Sequence, residues 1–189
     1  SQTSLNLEAV NGSSASFTVY SNYSWTATSD QSWISITPAT GNASLSEQTI
    51  TISATENDRD AIRTATVTVK NETGTSKAIT VTQKAPSMSV RIMYEPIDYK
   101  DLTNFAVVTS DVGWKLSSDQ SWLTFQQTSG NVSENVKLIY SENPESADRT
   151  ATITLTNTSG TIVKTTTFTQ PGKPKTYYIV NQVTEASAL

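Results

Sequence analysis

The side chains with the most evident capacity for chemistry are tryptophans that stand beside acidic and amide residues. A five-residue segment, Ser-Asp-Gln-Ser-Trp, ends at Trp33 and returns unchanged with its end at Trp122. An exposed indole offers a flat platform for the apolar face of a sugar ring, and polar neighbours supply directional hydrogen bonds. The two copies therefore predict carbohydrate-binding platforms, formed by Trp33 with Asp30 and by Trp122 with Asp119.

A second tryptophan stands eight residues before each of these, at Trp25 and at Trp114. In an alternating strand Trp25 shares a face with Ala27, and Trp114 shares a face with Leu116. Immunoglobulin-like sandwiches commonly bury a tryptophan in their third strand. We therefore predict that Trp25 and Trp114 belong to the core.

The alternation leaves two positions open for Trp33. A strict strand places Ile34 and Ile36 on one face and Trp33 on the other, and Trp122 stands in the same relation to its own neighbours. A bulge would turn the indole inward. Burial is the favoured interpretation, because large aromatic side chains are mostly buried, and an exposed sugar platform is the alternative.

Six acidic residues crowd two matching polar loops. Clusters of carboxylates can hold calcium, but this spacing differs from that of a twelve-residue calcium loop. We therefore expect solvated loops with no metal, and no cofactor of any kind. Arg63 and Arg149 begin the strands that follow, and each is predicted to pair with a nearby acid. The acidic residues are Glu56, Asp58 and Asp60 in the first loop, and Glu142, Glu145 and Asp148 in the second.

Charge and composition exclude several kinds of partner. The net charge is −4 and the basic residues do not cluster, so binding to nucleic acid is not expected. The absence of cysteine and histidine excludes disulfides and zinc sites. No apolar run approaches the length of a membrane span. The chain starts at Ser1 without methionine, so membrane association is expected only through a lost N-terminal anchor.

The elements that must position these side chains are short β-strands in two copies of one module. Threonine, which favours strands, occurs 32 times, and apolar residues alternate with polar ones between regularly spaced turns. This pattern predicts an all-β fold of two tandem immunoglobulin-like β-sandwiches with about seven strands each. The predicted boundaries are residues 1–84 and 85–172 for the sandwiches and 173–189 for a C-terminal extension, in which residues 176–180 favour a strand.

No arrangement of residues is typical of a catalytic site. A serine nucleophile would need a base, and the chain has no histidine. Glycoside hydrolysis needs two carboxylates that face each other across a cleft, and two small sandwiches offer little cleft. We therefore predict no enzymatic activity and no catalytic residues.

One segment distinguishes the two copies. Where the first has the tight turn Asn11-Gly12, the second has an insertion, residues 94–101, that carries Tyr94 and Tyr99. Exposed tyrosines suit a binding rim, and loops often carry individual function. Two interpretations stay open: the loop binds a ligand through Tyr94 and Tyr99, or it packs against the first module and stiffens the junction.

The repeated residues resemble the BACON domain family, whose name denotes Bacteroidetes-associated, carbohydrate-binding, often N-terminal modules. The resemblance covers nearly all of residues 1–172, although the second copy has Thr128 at the place of the proline before the glycine. In the first copy it rests on Trp25, residues 29–34, Pro38, Gly41, Asn57, residues 63–65 and residues 81–83. In the second it rests on Trp114, residues 118–123, Gly130, Asn143, residues 149–151 and residues 169–170.

The resemblance implies an immunoglobulin-like fold in a secreted or surface protein of gut bacteria. It implies an extracellular or outer-membrane location, with carbohydrate or mucin glycans as the expected partner. An adhesion protein that binds a glycan is the first hypothesis. A structural spacer, or a stalk that contacts another surface protein and has no glycan site, is the alternative.

Overall fold

The computed structural model describes residues 2–175, and within that range the chain consists of β-strands and connecting loops. The strand predicted at residues 176–180 lies outside the described residues. No helix in the described range is long and apolar enough to cross a membrane.

Sixteen strands follow one another, and we call the first eight the first module and the next eight the second module. The first module contains β1 (Ser4–Leu7), β2 (Ser14–Ser21), β3 (Trp25–Ser29), β4 (Ile34–Thr37), β5 (Thr40–Gly41), β6 (Ser44–Ala54), β7 (Arg63–Asn71) and β8 (Ser76–Gln83). The second contains β9 (Met88–Ile92), β10 (Phe105–Ser110), β11 (Trp114–Ser118), β12 (Thr124–Phe125), β13 (Ser129–Gly130), β14 (Glu134–Ile139), β15 (Arg149–Asn157) and β16 (Val163–Gln170).

Each module is a sandwich of two sheets. In the first module, a sheet in the order β1-β8-β7-β3-β5 packs against a sheet in the order β2-β6-β4. In the second, the order β13-β11-β15-β16 packs against β12-β14-β10-β9. The predicted all-β fold of two tandem immunoglobulin-like β-sandwiches is therefore confirmed.

Alternation along the strands builds the two cores. In β7, Ala65 and Val67 are buried while Thr64 and Thr66 are exposed, because successive side chains of a strand point to opposite faces of the sheet. The predicted burial of the third-strand tryptophans is confirmed, since Trp25 is 3% and Trp114 is 1% exposed.

A glycine faces each core tryptophan across a strand pair. Gly41 lies opposite Trp25, and Gly130 lies opposite Trp114. A Cβ atom at Gly41 would lie 2.3 Å from the indole ring, and a Cβ atom at Gly130 would lie 2.4 Å from its indole. Contact at this distance is far inside van der Waals separation, so the indole lies directly on the glycine backbone. This explains the constant spacing between tryptophan and glycine in the two copies.

The two modules pair their first strands differently. Asn11-Gly12 does form a turn, with Gly12 at a φ of 76°. However, β1 pairs in parallel with β8 and not with β2, although an Asn-Gly turn between two strands is typical of a β-hairpin. In the second module the first strand, β9, instead pairs antiparallel with β10. The two copies therefore use their first strands in different sheets.

The modules touch each other at one end of the first module. Ala9 of the first module packs into the core cluster of the second. The Thr161 hydroxyl donates to the Asp58 carbonyl, and Lys164 forms an ion pair with Asp60. Burial raises the pKa of the Glu56 carboxyl here, although its hydrogen bond with the backbone of the second module opposes that rise.

We predict that Gly41→Ala destabilises the first module by about 3 kcal/mol, because the added methyl group must displace a packed indole ring. The measurement is the free energy of unfolding in urea, followed by tryptophan fluorescence. Thr40→Ala, at an exposed neighbouring position, is the control and should change stability by less than about 0.5 kcal/mol. A Gly41→Ala protein as stable as this control would contradict the packing described.

Candidate functional site

The repeated Trp33 and Trp122 are half-buried, and in each module an arginine covers part of the indole. The Arg63 guanidinium carbon lies 4.4 Å from the centre of the Trp33 ring, and that of Arg149 lies 4.1 Å from the Trp122 ring. A guanidinium at this distance makes a favourable cation–π contact. One face of each proposed sugar platform is therefore already occupied by the protein itself.

The guanidinium of Arg63 is held in place by several acceptors. Its Nε donates to the Gln83 Oε1 at 2.7 Å, and its Nη2 donates to the carbonyl oxygens of Thr55 and Glu56, each at 2.8 Å. The predicted acidic partner is present as well, since Asp58 lies 3.7 Å from Nη1. Burial lowers the pKa of Arg63, although the Asp58 charge opposes that effect.

Arg149 repeats this arrangement in the second module. Its Nε donates to the Gln170 Oε1 at 2.9 Å, and its Nη2 donates to the Ser141 carbonyl at 2.6 Å. The acceptors that define its position are thus an amide and backbone carbonyls, where the sequence predicted an acid. Burial lowers the pKa of Arg149 too.

The glutamine at the end of each module is the functional residue that sequence reasoning missed. Gln83 and Gln170 are both 0% exposed. Gln83 accepts from Arg63 through Oε1, and its Nε2 donates to the carbonyls of Glu8 and Thr55, each at 2.9 Å. Buried polar groups are costly unless they are hydrogen-bonded, and this side chain satisfies carbonyls from separate segments. The Thr-Gln pair that recurs at the end of both modules was the sequence signal that could have identified this residue.

A buried asparagine completes each network. Asn57 Nδ2 donates to the carbonyls of Ala61 and Lys84, and Asn143 Nδ2 donates to the Ala147 carbonyl. Each asparagine thus closes its own polar loop and fastens that loop to the end of its module, since Asn143 Nδ2 also donates to the Pro171 carbonyl at 3.2 Å. We call the repeated set the arginine network; its members are Trp33, Asn57, Arg63 and Gln83 in the first module and Trp122, Asn143, Arg149 and Gln170 in the second.

The aspartates of the repeated segment have backbone partners. Asp30 Oδ1 accepts from the Thr66 amide at 2.8 Å, and Asp119 Oδ1 accepts from the Thr152 amide at 2.8 Å. The Asp30 amide in turn donates to the Thr66 carbonyl at 3.1 Å. Both carboxylates therefore extend a sheet beyond its last strand pair, and they remain exposed to solvent.

Tyr94 presents the ring most suited to contact a ligand. It is 54% exposed, yet its backbone is held on both sides by one buried side chain. The Tyr94 amide donates to Asn104 Oδ1 at 3.1 Å, and Asn104 Nδ2 donates to the Tyr94 carbonyl at 2.8 Å. The phenol therefore projects into solvent from a fixed backbone position.

Tyr99 lies in the same insertion and is half-buried. The Lys100 ammonium lies 5.2 Å from the centre of its ring, and a hydrogen bond with the tyrosine raises the pKa of Lys100. The Tyr99 carbonyl accepts from Gln170 Nε2 at 3.2 Å. The insertion is thus joined to the arginine network of the second module.

The insertion is anchored in its own module. Ile97 packs against the core of the second module, and Asp98 and Asp101 brace the turn through a 2.7 Å bond from the Asp98 amide to Asp101 Oδ2. Within the second module, Tyr99 is linked to Trp122 through Gln170 and Arg149, and Tyr94 lies in the same loop as Tyr99. The second interpretation of the sequence was that this loop packs against the first module. The contacts described here join the loop to its own module.

Acidic side chains of the two loops bind other groups of the protein. Asp58 pairs with Arg63, Asp60 pairs with Lys164, and Asp148 accepts from the Gly172 amide at 2.9 Å. Over residues 2–175 there is no group of three or more acidic, histidine or cysteine side chains that could hold a metal ion.

Solved structures with a similar course of the chain include a Bacteroides ovatus GH5 xyloglucanase in complex with a XXXG heptasaccharide, at 27% identity and a TM-score of 0.39. That match covers 43% of this chain but only 17% of the xyloglucanase chain. The D00-D0 domain of Intimin matches at 11% identity and a TM-score of 0.35, over 87% of this chain and 93% of its own. The Yersinia pseudotuberculosis adhesin InvE matches at 11% identity and a TM-score of 0.40, over 87% and 56%.

A comparison with curated proteins found no match. The family model described as the viral BACON domain matches residues 1–86 and again residues 95–173. The two matched stretches contain both copies of the arginine network.

We predict that Arg149→Lys lowers the free energy of unfolding by about 1–3 kcal/mol. A lysine retains the charge but cannot bridge the Gln170 amide and the Ser141 carbonyl in one plane, so buried acceptors lose their donors. Urea unfolding measures the effect. Arg91→Lys, at an exposed position of β9, is the matched control; equal stability of the two variants would show that the network does not hold the module together.

Proposed function

Since its two halves both match that model, the chain belongs to the viral BACON domain family, and we propose that it is a non-catalytic surface protein that binds carbohydrate or mucin glycans as an adhesin does. The proposed location is an external surface, extracellular or at an outer membrane. The proposed partners are glycans or mucins, or another surface protein.

The observation that carries this proposal is the exposed phenol of Tyr94 on a backbone that Asn104 holds rigid. A rigid aromatic ring gives large contact area at low entropic cost, which suits a sugar-binding surface. The carboxylates and the ammonium of residues 98–101 lie in the same loop and offer the hydrogen bonds that orient a sugar. The half-exposed edges of Tyr99 and Trp122 extend the apolar surface.

The proposal places binding in the second module and not equally in both copies. In the first module, Gln83 holds the carbonyls of Glu8 and Ala9, and Ala9 itself packs into the core of the second module. The end of the first module that contains Trp33 therefore faces the junction. In the second module, the corresponding Gln170 holds the Tyr99 carbonyl, and the tyrosine loop takes the place of that junction.

A structural spacer is the second candidate, and the contacts between the modules favour it. An ion pair, a hydroxyl–carbonyl bond and a shared apolar contact join the modules over a linker that is too short to act as a free tether. A stiff pair of sandwiches would hold a partner at a defined distance from a surface. Spacing and glycan binding are compatible in one chain.

We predict that the full chain binds mucin-type glycans on a glycan array and that Tyr94→Ala weakens this binding at least about tenfold, which is the usual scale for an aromatic anchor. Tyr23→Ala is the matched control, because Tyr23 is also exposed, at 40%, but lies in the first module. Retained binding by Tyr94→Ala, or equal loss in both variants, would remove the tyrosine loop from the site. An array without any hits would count against glycan binding altogether.

For the spacer, we predict that the two modules align as one body in residual dipolar coupling measurements. Thr161→Val combined with Lys164→Ala removes two of the polar contacts across the junction, so the modules of this variant should align less closely as one body than those of the unmodified chain. Lys115→Ala is the control, since Lys115 donates to a carbonyl within its own module. Independent alignment of the unmodified modules would exclude a stiff stalk.

A further inference from the structure

The first module contains a cavity of about 460 Å³ that is lined by residues of β2, β7 and β8. It opens between β2 and the part of β8 that β1 leaves unpaired. Its wall combines apolar side chains from both sheets, among them Phe17, Val19, Val69 and Ile79, with the core tryptophan Trp25 at its base.

Strand edges with free backbone groups flank this cavity. In the sheet β2-β6-β4, β2 is an outer strand and pairs with β6 alone. β1 pairs with β8 only from Thr80 to Gln83, so among the described residues Ser76 to Ile79 have no strand partner on that side, where Gln2 and Thr3 line the cavity. The exposed N–H and C=O groups of such edges are a template for a further strand.

In the second module, strand β9 fills the position that corresponds to this cavity. There β9 pairs antiparallel with β10, the counterpart of β2, and packs against β16, the counterpart of β8. Three of its side chains at alternate positions, Met88, Val90 and Ile92, are buried between the sheets. Within residues 2–175 the first module has no such strand, because β1 joins the other sheet.

Equivalent residues of the two modules differ in how deeply they are buried. Val19 and Val108 each lie six residues before the core tryptophan of their module, yet Val108 is 1% exposed and Val19 is only half-buried. Val69 and Leu155 each lie opposite the residue two positions after that tryptophan. Leu155 is 0% exposed, and Val69 is half-buried. The first module thus leaves open a groove that the second module closes with its own chain.

We propose that this groove, which we call the β2 groove, accepts an extended peptide strand from a partner polypeptide. The strand pairs antiparallel with β2 and inserts apolar side chains at alternate positions, as β9 does in the second module. Main-chain hydrogen bonds to the free edge provide affinity, and the apolar pockets provide specificity. A peptide suits the site because the groove offers both free backbone groups at a strand edge and an apolar floor.

The test uses the full chain and a synthetic peptide with the sequence of residues 87–93, Ser-Met-Ser-Val-Arg-Ile-Met. We expect saturable binding in calorimetry, with amide chemical shift changes concentrated in β2 and in residues 76–79. Replacement of the peptide residue that corresponds to Val90 by aspartate should weaken binding at least about tenfold, because its buried apolar contact is lost. Failure of the peptide to bind at millimolar concentration would overturn the proposal.

Two protein variants locate the binding event. Lys77 is exposed and shares the inward phase of Ile79, so Lys77→Trp should fill the β2 groove and abolish peptide binding. Thr64→Trp adds the same ring at an exposed position of β7 that does not line the cavity, and binding should persist there. Equal effects of the two variants on peptide binding would contradict the assigned groove. Dimers that form with rising protein concentration in the absence of peptide would instead assign the β2 groove to a second copy of the chain.

Discussion

Both modules depend on a guanidinium that lies above an indole ring and is fastened by a buried glutamine. A guanidinium presents five N–H donors in a fixed plane, so its position is defined only when acceptors surround it in the right directions. Gln83 and Gln170 provide one acceptor each, and backbone carbonyls from a loop provide the others. Gln170 also donates to the carbonyls of Tyr99 and Ser141, while Gln83 holds the start of its own module by donating to the Glu8 carbonyl. One side chain thus joins the first segment, the acidic loop and the last strand.

This constraint explains why the two copies share their most conspicuous residues. Trp33 and Trp122 serve as the floor for the arginine, and Asp30 and Asp119 extend a sheet. Identity between the copies follows from a common framework. Differences arise where the framework leaves freedom: in the tyrosine loop of the second module and in the first strand, which closes a groove in one module and leaves it open in the other. The proposed functions lie at those differences.

The strands, the core tryptophans and the immunoglobulin-like plan could be predicted from the sequence, because alternation and turn residues act over short distances. The half-buried state of Trp33 could not, because it depends on Arg63, thirty positions away along the chain. The partner of β1 was also missed. Asn11-Gly12 is typical of a hairpin, but the pairing with β8 depends on the far end of the module. The six proposed sugar-binding residues stay a prediction, and only the structure shows that Tyr99 and Trp122 are linked, through Gln170 and Arg149.

The central claim is that the repeated motif is framework and that ligands meet the protein where the copies differ. The chain has four tryptophans, so the indole N–H signals of an NMR spectrum can be followed one by one during titration with a bound mucin-type glycan. The account predicts that the Trp122 indole and the backbone amides of Tyr94 and Phe105 shift, while the Trp33 indole does not. Equal shifts of the Trp33 and Trp122 indoles would contradict it, since the repeated motif would then itself be the binding site.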